Sequence, residues 1–377
     1  MKVLILSCNT GEGHNSAARA IDRHIRSLGM ECTVTDTLSL VGPSLSKSVS
    51  DMYIYSTQTN LFKYIYKIGT FVSDLSDRVK SPVYLWNSSH ADKVLEHITE
   101  NRFDAVICVH LFPAQTISYL RLKGRLSIPA IFVMTDYTCI PFLDETIMDC
   151  YVIPHEHLIE EFAEKGIPRA KIFPFGIPVD SAFHRTGPKV MARNRLIRMF
   201  GWNDTPTYNN WFLIMTGSMG FGSTQEIIDE TIRQSMDGTE IIAICGRNEE
   251  MLDRLKEENR YIHTVHPIGF TDKISLLMDA CDVLFTKPGG ISSTEGMSKQ
   301  IPMIHTAPIP GCESRNAEFF HYHGMSYSCN DTRQQVLTAL RLCEDKEYRR
   351  KMTGAQRLNA KPDTCHRILG LLKDRVS

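Results

Sequence analysis

Short apolar runs alternate with helix-patterned segments in two successive series along this chain. That alternation commits it to doubly wound parallel sheets, because parallel strands need crossovers long enough to hold a helix. In the first half the expected strands lie at 2–7, 32–36, 104–110, 130–135, 151–154 and 171–175; strand-like runs resume at 211–216, 240–245, 263–268, 282–286, 302–305 and 325–328. A proline-marked exit, Gly176-Ile177-Pro178-Val179-Asp180, closes the first series. The expected fold is α/β with two Rossmann-like domains. Residues 1–180 form the first, 181–210 a polar linker with a basic helical stretch around Arg193 to Arg198, and 211–345 the second. A helical segment, 346–377, is expected to cross back to the first domain. At 377 residues the chain is long for one core and ample for two. Open sheets of this kind bind ligands at the carboxyl ends of their strands, so a cleft between the domains is the expected active site.

The most chemically specific stretch is Lys287-Pro288-Gly289-Gly290-Ile291-Ser292-Ser293-Thr294-Glu295, which follows an apolar strand and opens a helix. The paired glycines allow close backbone approach, and free amides at the positive end of a helix dipole suit a diphosphate. A carboxylate one turn in, Glu295, repels phosphate but grips a ribose diol, so the stretch reads as a nucleoside diphosphate site. The first strand leads into Gly11-Glu12-Gly13-His14-Asn15-Ser16, which lacks both the Walker ending and the third glycine of a dinucleotide loop. Near a helix N-terminus, His14 can stay neutral and act as a general base, or simply cap and hydrogen-bond the loop. Asp136, at the end of a buried strand, either orients His14 and the acceptor or caps a helix. Gly217-Ser218-Met219-Gly220 is either a second phosphate loop or a tight turn, and Phe270 with Thr271 either receives a base or belongs to the core. Glu313 and Asn316 lie in a polar loop able to hold sugar hydroxyls.

Composition removes other classes. The net charge is −1 with both signs interspersed, which argues against nucleic-acid binding. The apolar opening, residues 1–7, is far short of the roughly 20 needed to cross a bilayer and lacks the build of a signal peptide. The 11 cysteines include no C-x-x-C pair and read as reduced residues of a cytoplasmic protein.

Taken in order, these loops resemble a GT-B glycosyltransferase of the family that holds monogalactosyldiacylglycerol synthases and processive diacylglycerol glucosyltransferases. The peptidoglycan enzyme that adds N-acetylglucosamine to a polyprenyl-linked precursor is a more distant likeness. The resemblance implies inverting hexose transfer from a UDP-sugar to a lipid hydroxyl, most directly diacylglycerol, with the two domains facing across a cleft. It implies that Phe270 and Thr271 hold uracil and Glu295 the ribose. Ser218 and the amides of Gly289, Gly290, Ile291, Ser292 and Ser293 would hold the diphosphate, Gly13 and Gly220 would also belong to the donor site, and Glu313 and Asn316 would reach the sugar. His14 would be the base, with Asp136 beside it. No Asp-x-Asp motif occurs, so no metal is expected, and the UDP-sugar is a co-substrate rather than a resident cofactor. Cys312 stands where the family usually has a sugar-contacting glutamine, which leaves the choice of sugar open.

A lipid acceptor calls for an interfacial surface. Tyr53, Phe62, Lys63, Tyr66 and Lys67 combine aromatic rings with lysines as a headgroup layer requires, although the same apolar residues also fit a helix's core stripe. The expectation is peripheral association with the inner leaflet of the cell membrane. A UDP-sugar 2-epimerase of the same fold and a nucleotide-sugar binder without turnover are the rival readings.

Overall fold

The structure, a computed structural model, describes residues 1–9, 12–42, 80–202, 205–207, 209–217, 221–235 and 238–376. Two compact units divide the chain: Met1–Asp180 with Ile309–Cys312 and Lys361–Ser377, and Ser181–Pro308 with Glu313–Ala360.

Each unit is built on a six-stranded sheet in which every pairing is parallel. The first contains β1 (Lys2–Ser7), β2 (Glu31–Asp36), β3 (Ala105–Cys108), β4 (Ala130–Val133), β5 (Cys150–Val152) and β6 (Ile172–Phe173), in the order β2-β1-β3-β4-β5-β6. The second contains β7 (Asn210–Met215), β8 (Thr239–Gly246), β9 (Val265–Gly269), β10 (Val283–Thr286), β11 (Met303–His305) and β12 (Tyr327–Ser328), in the order β12-β11-β10-β7-β8-β9. Every strand overlaps an apolar run marked in the sequence. Residues on both faces of β3, β4 and β10 are buried, which is why these strands read as continuous apolar runs rather than alternating ones.

Helices cover the sheets through apolar stripes. Ile21 and Ile25 of the helix Glu12–Ser27 pack with Val3, Ile5, Ile107 and Ile131 in the first unit. In the second, Ile227, Ile228, Val336 and Leu342 pack with Phe212, Ile241 and Phe285.

Two stretches differ from expectation. The 181–210 stretch folds with the second unit, because Arg193 of the helix Lys189–Phe200 is an internal brace. Its guanidinium donates to the carbonyls of Ala280 at 2.8 Å and Asn209 at 2.9 Å, and pairs with Asp282 at 2.6 Å. A buried arginine satisfied on several sides leaves a polar signature that resembles a linker. The C-terminal segment also divides. The helix Lys346–Asn359 stays with the second unit, where Gln356 Nε2 donates to the carbonyls of Ile301 and Met325 at 2.8 Å each. Only residues from Lys361 onward belong to the first, to whose core the helix Thr364–Val376 adds Ile368, Leu369 and Leu372.

Gly176 marks the contact of that returning segment with the proline-marked exit. Thr364 Oγ1 donates to the Phe175 carbonyl at 2.6 Å, and Lys361 pairs with Glu156 at 2.8 Å. Gly176 has φ +102°, and a Cβ there would stand 2.7 Å from both Lys361 Cβ and Thr364 Oγ1. Gly176→Ala therefore meets backbone strain and a clash together, and is expected to cost about 2–3 kcal/mol. A denaturant midpoint equal to wild type contradicts this.

Candidate functional site

In open parallel sheets the ligand crevice lies beyond the carboxyl ends of the strands at which the order reverses. In the first sheet those neighbours are β1 and β3. The helix Glu12–Ser27 follows β1 and carries Gly13, half-buried, and His14 in its first turn. His14 Nδ1 lies 2.8 Å from the carbonyl of Val109, immediately after β3, and 3.0 Å from Thr135 Oγ1, beyond β4. A carbonyl only accepts, so Nδ1 carries the hydrogen and Nε2 keeps its lone pair. Burial pushes the His14 pKa below its ordinary value near 6.5, while the neighbouring Asp136 and the Val109 bond pull it back up. The arrangement is a neutral imidazole, held in one tautomer, with a carboxylate near enough to stabilise the positive charge formed when it accepts a proton.

The sequence reading passed over His110. It sits edge-on to His14, with ring centroids 4.7 Å apart. Its Nδ1 accepts from the Phe112 amide at 3.1 Å, capping the helix Leu111–Leu122. Burial, and secondarily His14, hold its pKa well below the ordinary range. The available signal was a histidine directly after a continuous apolar run, at the carboxyl end of the strand beside β1.

In the second sheet the reversal falls between β7 and β10. After β10, Gly289 is the extended N-cap of the helix Gly290–Lys299 and no side chain caps that helix. The amides of Gly290, Ile291 and Ser292 therefore lack intrahelical acceptors, whereas the Ser293 amide bonds to the Gly289 carbonyl at 3.0 Å. Gly217, after β7, adopts φ +78°, and a Cβ there would come within 3.9 Å of Lys287 Cδ, so the two loops adjoin. Glu295 lies half-buried in the same helix, and Glu313 half-buried at the start of the helix Cys312–Tyr322.

The side chains of two expected contact residues act as internal braces. Ser293 is fully buried, its Oγ 3.0 Å from Nε2 of His305, whose Nδ1 lies 3.1 Å from Ser326 Oγ. Burial and then His321 push the His305 pKa down to about 3, so this internal chain stays neutral. Asn316 is fully buried, and its Nδ2 donates to the Pro288 carbonyl at 2.9 Å, holding the glycine loop in shape. Phe270 is 66% exposed with the Arg247 guanidinium 5.0 Å from its ring centroid, and Thr271 Oγ1 accepts from the Lys273 amide at 3.1 Å. Ser218, Gly220, Tyr53, Phe62, Lys63, Tyr66 and Lys67 lie outside the described residues. Among the described residues there is no group of three or more His, Cys, Asp or Glu that could hold a metal ion, and no helix long and apolar enough to cross a membrane.

Residues 14–179 match the family model described as monogalactosyldiacylglycerol (MGDG) synthase. A processive diacylglycerol β-glucosyltransferase of Bacillus pumilus (strain SAFR-032) is 25% identical over 349 residues, covering 92% of this chain and 88% of that protein. Among solved structures, Acinetobacter baumannii MurG superposes with a TM-score of 0.64 at 12% identity, covering 99% of each chain. The UDP-GlcNAc 2-epimerase of Neisseria meningitidis, bound to UDP-GlcNAc, gives 0.63 at 13% identity over 99% of this chain and 100% of that one. Both structural likenesses are at the level of the two-domain GT-B fold.

Proposed function

We propose that this chain, a GT-B relative of the monogalactosyldiacylglycerol synthases and processive diacylglycerol glucosyltransferases, is an inverting UDP-sugar-dependent hexosyltransferase whose acceptor is the free hydroxyl of diacylglycerol. The observation that carries the reading is His14, its Nδ1–H committed to the Val109 carbonyl and its Nε2 left basic at the reversal point of the first sheet. Nε2 takes the acceptor's proton as the oxygen bonds to the anomeric carbon. The bond from that carbon to the UDP oxygen breaks on the opposite face, and Asp136 steadies the imidazolium. The leaving diphosphate gains negative charge, which the open amides of Gly290, Ile291 and Ser292 and their helix dipole stabilise. Glu295 accepts from the ribose hydroxyls, Phe270 stacks on the base, and Glu313 reaches the sugar. The epimerase reading is weaker, because the whole-chain sequence likeness runs to a lipid glucosyltransferase while the epimerase shares fold alone.

The test incubates purified protein with each UDP-sugar, with and without vesicles containing diacylglycerol, and follows UDP release and lipid mass. Lipid-dependent release with a hexose added to diacylglycerol supports the reading; sugar rearrangement without lipid replaces it with an epimerase. Turnover is expected to persist in EDTA, since amides and a dipole neutralise the leaving group. Glu295→Ala is expected to raise the donor KM about 10- to 100-fold with kcat little changed, because a ribose contact is made equally in ground and transition states. A donor KM equal to wild type removes Glu295 from the site. Peripheral docking on the inner leaflet through Tyr53, Phe62, Lys63, Tyr66 and Lys67 completes the proposal; co-sedimentation with vesicles unchanged by charge reversal at Lys63 and Lys67 counts against it.

A further inference from the structure

Residues 181–202 hold Arg185, Lys189, Arg193, Arg195 and Arg198 and no Asp or Glu, in a chain whose net charge is −1. Asp282 pairs with both Lys189 and Arg193. Arg185, Arg195 and Arg198 take part in no ion pair among the described residues. The helix Lys189–Phe200 buries Ala192, Arg193 and Leu196, which turns the opposite face outward. Two adjacent stripes at four-residue spacing make up that face: Met191, Arg195 and Met199, and Val190, Asn194 and Arg198. Met191 is 68% exposed, Val190 59% and Met199 43%, so apolar ends flank the cations on this helix face. Beside the helix lies an open cavity of about 500 Å³ whose lining includes Pro188, Met191, Arg185, Arg195 and Arg198; its one carboxylate, Asp279, is paired with Lys299 at 2.9 Å.

We propose that this face is a docking surface for an anionic lipid bilayer. Guanidinium groups pair bidentately with phosphate, and exposed methionine and valine enter the acyl boundary that a soluble anion does not offer. Charge complementarity favours bilayers carrying net negative lipid over zwitterionic ones. The proposal rests on the lipid-directed reading above and adds to it a second lipid-facing surface, built on the second unit.

The test measures partitioning of the full chain onto phosphatidylcholine vesicles with and without phosphatidylglycerol, for wild type and Arg195→Gln/Arg198→Gln. With each cation contributing on the order of a few-fold to tenfold near an anionic surface, the pair is expected to lower binding to the anionic vesicles about thirtyfold. Binding to neutral vesicles changes little. Arg333→Gln/Arg357→Gln removes the same charge from other exposed positions of the second unit and is expected to leave binding intact. Anionic-vesicle binding that survives the first pair, or falls equally with the second, overturns the proposal. Transfer to a short-chain, detergent-dispersed diacylglycerol is followed in parallel and is expected to be unaffected by either pair. If wild type transfers no hexose there, the enzymatic reading fails while the vesicle comparison still decides this one.

Discussion

Replacing His14 with alanine is expected to lower kcat about 10²- to 10⁴-fold while UDP binding stays near wild type, the range and pattern of a lost general base. The expectation comes from the tautomer. With Nδ1 donating to Val109, Nε2 is the only ring position able to take a proton, and burial keeps it unprotonated at neutral pH. The lowered pKa also fixes the pH profile: activity holds through neutrality and falls on an acid limb below 6.5, as His14 becomes protonated. Asp136 raises that pKa, so Asp136→Asn is expected to move the acid limb to lower pH. It also slows turnover, because the imidazolium loses its counter-charge. A His14→Ala protein with full turnover removes the residue from the mechanism; an acid limb unmoved in Asp136→Asn removes the coupling.

Period and punctuation made the architecture legible. Parallel strands buried on both faces leave unbroken apolar runs, and the glycine loops after β1, β7 and β10 stand where the sheets reverse order. Side-chain direction was not legible. Ser293 and Asn316 were placed among the donor contacts by spacing, yet His305 and the Pro288 carbonyl, distant in sequence, turn both side chains inward. His110 was missed because only the adjacency of β3 to β1 brings it to His14. Arg193 disguised a packed helix as a linker, since its partners are carbonyls and Asp282, far along the chain. In each case local pattern fixed the element, and a contact between distant elements fixed the role.

Ser292→Asp sets two consequences of the helix dipole against each other. Ser292 occupies the first turn after the uncapped Gly289, where a carboxylate meets open amides. The apoprotein is therefore expected to gain about 0.3–1 kcal/mol of helix stability. The same carboxylate stands where the donor's diphosphate binds in the proposed site. Two unit charges about 4 Å apart repel by roughly 4 kcal/mol at the effective dielectric of a protein surface. With partial screening, donor affinity is expected to fall about 10²- to 10³-fold, read as a rise in the dissociation constant for UDP by calorimetry. Unchanged or raised thermal stability alongside lost UDP binding separates this result from a folding defect. A wild-type UDP affinity in Ser292→Asp means that the diphosphate does not sit on the Gly290–Ser292 amides, and the donor assignment then fails at its central residue set.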